Sequence, residues 1–241
     1  MASIFWMNPT ETIVNISQNH EAKIVKLMSE SGFIDFVIST GTFPQIMKSY
    51  TNIIGTPMMP PLYSFGYHQS RWGYQTQEAV EQVISKLDES NIPFDFILLD
   101  IDHLANQSPF TINTTAFPHF DQLVQRLNDH NRYLIRITDP HIPVDHKLAQ
   151  EGIDNSYFIL NNSQPFVGEC WPGKSMWPDF LNPKVVDWWG SQFNQNSFPE
   201  NVWIWNDMNE PSVFNSLENT MPRDNIHKCR HDVKNDKRIE L

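Results

Sequence analysis

The chain has 241 residues, a formal net charge of −11, and hydrophobic and aromatic shares of 40% and 12%. That is enough apolar material for a sizeable core, and the acidic balance argues against nucleic acid or an anionic membrane as a partner. No apolar run approaches the ~18 residues of a membrane span, and Met1 to Asn8 lacks the basic and apolar regions of a signal peptide, so neither membrane insertion nor a leader is expected.

In chain order, Phe5, Trp6 and the segment from Glu11 to Ile16 suggest β structure. Pro61 to Tyr67 reads as a first strand of a new pattern. Thr76 then caps a helix whose apolar residues Ala79, Val80, Val83, Ile84 and Leu87 recur at helical spacing. Phe94 to Leu99 is a second strand, His119 to Asp129 a helix carrying Leu123, Val124 and Leu127, and Tyr133 to Thr138 a third strand. Pro140 to Pro183 is long and rich in Asn, Pro, Gly and Trp, as an excursion bearing functional residues would be. Lys184 to Gln195, with Val185, Val186, Trp188 and Trp189, predicts a helix, and Val202 to Trp205 a fourth strand, apolar enough to be an inner one.

Strand and helix alternate, which implies a parallel sheet covered by helices. Asp100, Asp139 and Asp207 each fall at the C-terminal end of a different strand, as catalytic residues do in barrels, and no Gly-rich loop follows the first strand. The expected fold class is therefore α/β of the (β/α)₈ TIM-barrel type. A complete barrel needs about 250 residues, whereas this chain spends its length on about four βα units, so it reads as part of a larger protein. The first 60 residues are expected to be poorly ordered or packed on the barrel fragment.

The run Val202 to Phe214 is the most informative. Strand side chains alternate, so Trp203, Trp205 and Asp207 share one face, and a carboxylate ringed by aromatic side chains suits a sugar. Other readings stay open residue by residue. Asp207 could cap a turn. Asp100 with Asp102 and His103 could be a salt-bridged strand end or a metal ligand, although no second His/carboxylate cluster stands at ligand spacing, so no metal and no cofactor are expected. Asp139 before Pro140 could start a turn or touch substrate, Glu210 could organise hydrogen bonds near Asp207 or play a structural part, and His103 and His141 read as structural. Cys170 and Cys229 make no disulfide framework, and Cys170 reads as a packing residue. Sequons at Asn15, Asn106, Asn113 and Asn161 permit glycosylation in a secretory compartment.

The segment Trp205-Asn206-Asp207-Met208-Asn209-Glu210-Pro211-Ser212-Val213-Phe214 closely resembles the nucleophile signature of glycoside hydrolase family 31, the retaining α-glucosidases. Further segments occur in the family's order: Ser29 to Asp35, Leu62 to Trp72, Leu99 to His103, Thr138 to Ile142, Cys170 to Gly173 and Pro178 to Pro183. Together they look most like the neutral, glucosidase II type, and they cover roughly residues 1 to 222. The resemblance implies four parts: residues 1–35 as the tail of an N-terminal β-sandwich domain, 36–60 as a connector, 61–222 as the N-terminal half of the catalytic barrel, and 223–241 as a divergent charged tail. It implies Asp207 as nucleophile with Glu210 in support. Asp100 would hold hydroxyls of the terminal glucose, Ile101 and Ile137 would line its pocket, and Trp171, Trp205 and Met208 would form its apolar walls. The substrate would be an α-glucoside or oligosaccharide, with a non-catalytic β subunit and the endoplasmic reticulum lumen implied for a glucosidase II-like protein.

The family's acid/base Asp lies on a later strand absent from this sequence, and Glu218 and Asp224 follow the fourth strand too closely to replace it. Hydrolysis by the chain alone is therefore expected to be absent or nearly so. Alternatives are a pseudoenzyme or carbohydrate-binding fragment using Trp171, Trp205 and Asp100, and a metal-dependent hydrolase on a similar barrel. The loop Ala105 to Pro109 and the stretch Asn225 to Val233 depart from the family's pattern and leave substrate preference open.

Overall fold

The computed structural model describes residues 1–29, 32–217 and 219–228. The chain divides into two units, Met1–Pro60 and Pro61–Leu241. In the first, strand β1 (Ala2–Trp6) pairs antiparallel with β4 (Phe36–Thr40), and β2 (Thr12–Gln18) with β3 (Lys23–Ser29). The β2–β3 turn is closed by Asn19, whose Oδ1 accepts from the amides of Glu21 and Ala22. Helix α1 (Phe43–Ile54) follows, with Gln45 reaching back to the Thr42 amide at 2.8 Å. The pairing is regular because backbone ladders form locally. Yet Ile46 is the one buried residue among those described here, and Ile13, Val14, Ile16, Val25 and Met28 lie exposed. Strands without a second layer have nothing to bury against.

The second unit holds a four-stranded parallel sheet in the order β13–β7–β6–β5, formed by β5 (His68–Arg71), β6 (Phe96–Leu99), β7 (Tyr133–Thr138) and β13 (Val202–Asn206). Between them run α2 (Gln77–Glu89), α3 (Phe120–Asn128) and α5 (Pro183–Ser191). Thr76 caps α2 as expected, accepting from the Ala79 amide at 3.2 Å. The helix-facing residues Ile97, Leu99 and Leu134 join Val80, Ile84, Leu123, Leu127, Val185 and Trp188 in one core.

Two expectations need correction. Pro61 to Tyr67 is not a strand: Leu62–Phe65 is a 3-10 turn in which the Ser64 amide donates to the Pro61 carbonyl, and the strand is the polar stretch His68–Arg71 behind it. Leu62 and Phe65 are 86% and 70% exposed, so their apolar character marks no place in the sheet. Nor is the fourth strand buried: β13 pairs only with β7, at the sheet's edge, and Trp203 and Ile204 are 43% and 44% exposed. Its apolar run matches an inner strand, but among the described residues no further strand covers it.

The excursion after β7 is structured. β8 (Ile142–Pro143), β12 (Gly173–Met176) and β11 (Val167–Cys170) form a small antiparallel sheet, with α4 (Lys147–Asp154) and the short pair β9 (Leu160–Asn161) and β10 (Gln164–Pro165) beside it. Its core of Ile159, Phe166, Cys170 and Trp177 also takes in Val213 from the loop after β13.

Candidate active site

Three carboxylates emerge at the C-terminal ends of three adjacent strands: Asp100 after β6, Asp139 after β7 and Asp207 after β13. Asn206 is in register with Thr138, so Asp207 and Asp139 leave the sheet side by side, about one strand spacing (~4.8 Å) apart in backbone. Side chains alternate along each strand, which puts Trp203, Trp205 and Asp207 on the same face as Tyr133, Ile137 and Asp139. Trp203 meets the Tyr63 and Tyr133 rings at 6.0 and 6.2 Å, so the face opposite the helices is aromatic at its base.

Above that base, Ile101, Leu104 and Ile137 form a buried apolar patch against which Trp171 and Trp205 pack. Trp171 comes from the excursion, in the turn between β11 and β12, and also packs on the second core together with Met208. Ile101, Ile137, Trp171 and Trp205, expected from the family resemblance to line one pocket, are thus brought together, while Met208 packs on the second core that Trp171 also touches. Two further rings stand there that the sequence reading did not assign: Trp72 lies 5.5 Å from Trp171, and Phe214 lies edge-on to it at 4.7 Å. Both are in aromatic motifs, but which loop rings meet is set by tertiary packing.

Asp207 is partly exposed, and its Oδ1 accepts from the Met208 amide at 2.9 Å, with Met208 in the left-handed region at φ 61°. Asp100 accepts from the Ile101 amide at 2.7 Å; burial raises its pKa against that bond, with Asp102 and Asp207 adding to the rise. Asp139 is fully buried, with His141 Nε2 3.8 Å from its Oδ2. Burial first, then the charges of Asp207, Asp100 and Glu210, push its pKa to about 7. Neither oxygen of Asp139 accepts a backbone amide, so it does not cap a turn. Glu210 is exposed and accepts from the Ser212 hydroxyl at 2.8 Å; among the described residues it makes no hydrogen bond to Asp207.

The arrangement leaves little room for a metal at Asp100, Asp102 and His103. Both His103 ring nitrogens are engaged, Nδ1 with the Asp100 carbonyl at 2.6 Å and Nε2 with Arg136 at 3.0 Å, and Asp102 accepts from the Gly73 amide at 2.7 Å. His141 is buried, with its pKa lowered by burial to about 4. Cys170 is buried in the second core and its thiol is pushed up to about 12, chiefly by burial, which fits a packing role. Asp224 lies 3.4 Å from the Asn161 amide nitrogen, while Glu218, Cys229 and the tail beyond it lie outside the described residues, as do Glu30 and Ser31.

What this geometry offers is one wall of a pocket for a ring-shaped, hydroxylated ligand: apolar faces for C–H surfaces and carboxylates for hydroxyls. The profile of the glycosyl hydrolases family 31 TIM-barrel domain matches residues 57–238. The chain is 39% identical over 238 residues to the glucosidase 2 subunit alpha of Schizosaccharomyces pombe, covering 93% of this chain and 26% of that protein. It is 38% identical over 250 residues to neutral alpha-glucosidase AB of Sus scrofa, again 93% of this chain and 26% of the relative. A solved DNJ-bound glucosidase II alpha subunit superposes with a TM-score of 0.87 at 36% identity, over 94% of this chain and 26% of that one. The chain thus spans about a quarter of the length of these relatives, and its parallel sheet is part of a TIM barrel that these residues alone do not close. With the profile covering most of its length and the strand-end carboxylates in place, the chain belongs to glycosyl hydrolase family 31.

Proposed function

We propose that this chain supplies the nucleophile side of a retaining α-glucosidase of glucosidase II type, acting on terminal α-linked glucose of an oligosaccharide or N-glycan. The observation that carries the proposal is the convergence of Asp100, Asp139 and Asp207 from three neighbouring strands beneath Trp171 and Trp205. Asp207 is the nucleophile: partly exposed and aligned by the Met208 amide, it can reach an anomeric carbon in the pocket. Asp100, held by the Ile101 amide, binds glucose hydroxyls; Ile101, Ile137, Trp171, Trp205 and Met208 cover the apolar faces of the sugar. Glu210, turned to Ser212, acts by shaping the loop after β13.

Retention requires a second carboxyl about 5–5.5 Å from the first, acting as acid and then base. By resemblance to the family we place that role on a carboxylate of a later strand, outside this sequence, and read the chain alone as a sugar-binding half-site. The regulatory subunit in the solved heterodimeric glucosidase II complex is the model for a non-catalytic partner, and the endoplasmic reticulum lumen for the compartment.

The test has two arms. In a protein that carries this segment within a complete barrel, Asp207→Asn is expected to lower aryl α-glucoside hydrolysis by roughly 10³-fold or more, as for loss of a covalent nucleophile. A residual rate within about tenfold of wild type defeats the assignment. For the purified chain, turnover near ~1 s⁻¹ would show that the acid/base is already present.

A further inference from the structure

Arg136 sits in the middle of β7, in register with Leu99 of β6 and Ile204 of β13, with its side chain toward the helices and 1% exposed. Among the described residues no carboxylate pairs with it. Its donors go instead to neutral acceptors: Nε to His103 Nε2 at 3.0 Å, Nη1 to the Ser197 carbonyl and Nη2 to the Thr111 carbonyl, each at 2.5 Å. The rings of Phe198 and Phe120 lie 4.9 and 5.7 Å from the guanidinium carbon. An apolar strand that carries a buried cation satisfied in this way is holding something in place at a cost in desolvation.

What it holds follows from the chemistry of the donors. Arginine has no acceptor and stays protonated at neutral pH even where burial lowers its pKa to about 10. Nε2 of His103 must therefore present its lone pair, so the single proton of the neutral imidazole lies on Nδ1, 2.6 Å from the carbonyl oxygen of Asp100. That oxygen also accepts the His103 amide at 3.3 Å, closing the turn Ile101–His103, and the Ile101 amide in turn donates to the Asp100 carboxylate at 2.7 Å. With the proton on Nε2, two lone pairs would face each other between His103 and Asp100. Burial, then the charge of Arg136, hold His103 at a pKa of about 3, so it remains neutral across the physiological range.

The geometry points to a buried relay, Arg136 to His103 to Asp100, in which Arg136 and His103 are positioning residues for the carboxylate that ends β6. It rests on the glucosidase reading for what Asp100 binds, and on hydrogen-bond geometry alone for how Asp100 is held. Arg136 touches no substrate; it sets the tautomer, and the tautomer fixes the turn.

The experiment is a ¹⁵N–¹H spectrum of the imidazole nitrogens in the purified chain. The expected result is a neutral, Nδ1-protonated His103 that does not titrate between pH 5 and 8 (~1.5 units either side of the free value). In Arg136→Met the ring is expected to populate the Nε2–H form and the Ile101 amide to lose its downfield shift. Should that variant not fold, His103→Gln, which keeps a donor and an acceptor, is expected to retain the Ile101 shift while His103→Leu loses it. An Nε2–H ring in the wild type, an ordinary His103 titration, or an Ile101 shift unchanged in both Arg136→Met and His103→Leu overturns the relay. A parallel titration with DNJ separates the two readings. A wild-type chain in which DNJ moves no Trp171 or Trp205 signal removes the sugar site but leaves the relay to the ring spectra. Where DNJ does bind, about tenfold weaker binding in Arg136→Met supports the relay, and unchanged affinity overturns the link to Asp100.

Discussion

Asp139 shows how one buried side chain governs pH behaviour. Its folded pKa of about 7 lies above the ordinary value of ~3.9, so between those limits the folded state holds a proton that the unfolded chain has released. Stability from this group is present at low pH and lost as pH rises toward 7. His103 and His141 act in the opposite sense: folded values of about 3 and 4 lie below ~6.5, so their contribution is present above that pH and lost on acidification. Across about pH 5 to 6 the two histidines together outweigh Asp139, so these three groups make stability rise with pH. Asp139→Asn removes the opposing group, and the slope of urea-unfolding free energy against pH is expected to become steeper. An unchanged slope means that Asp139 is ionised in the folded protein. At the same scale, Ile137→Ala opens a cavity under Trp171 and Trp205 and is expected to cost about 2–5 kcal/mol in unfolding free energy. The carboxylates were legible as strand ends in the sequence; the burial of Asp139 was not, because it depends on what packs around the end of β7, buried His141 included.

At the scale of elements, helices α4 and α5 each contain a glycine with opposite surroundings. A Cβ on Gly152 would lie 2.4 Å from Cε2 and 2.6 Å from Cζ of Phe158, whereas one on Gly190 would meet nothing within 4 Å. Ala gains roughly 1 kcal/mol over Gly in a helix interior, and forcing an aromatic ring aside costs about 1–3 kcal/mol. Gly152→Ala is therefore expected to destabilise the chain and Gly190→Ala to stabilise it slightly, both read as shifts in the urea midpoint. Equal effects of the two would show that Phe158 yields freely. Of the elements with clear periodicity, α3 and β7 stand within one residue of their sequence-based limits and α2 begins at its expected cap. The first strand was misplaced because an apolar run in a turn and a polar run in a parallel sheet invert the usual signal; His68 earns its place by stacking on Phe96 at 4.3 Å.

For the whole molecule, the consequence of a partial barrel is an exposed edge. β13 leaves one side of its backbone unpaired within the described sheet, next to Trp203 and Ile204. Such an edge is a template for association, and the chain is expected to self-associate at micromolar concentration in sedimentation velocity, with Ile204→Lys shifting it toward monomer. No change on substitution would place the contact elsewhere.

By itself the sequence determined the βα alternation, the three strand-end aspartates and the aromatic loops, because strand period, helix spacing and chain order are local properties. Tertiary structure alone decided that Trp171, in a distant excursion, meets Ile101, Ile137 and Trp205, that Asp139 loses its water, and that Arg136 reaches across to His103. Those outcomes depend on which surfaces bury one another, and desolvation is a property of the packed molecule, not of any segment.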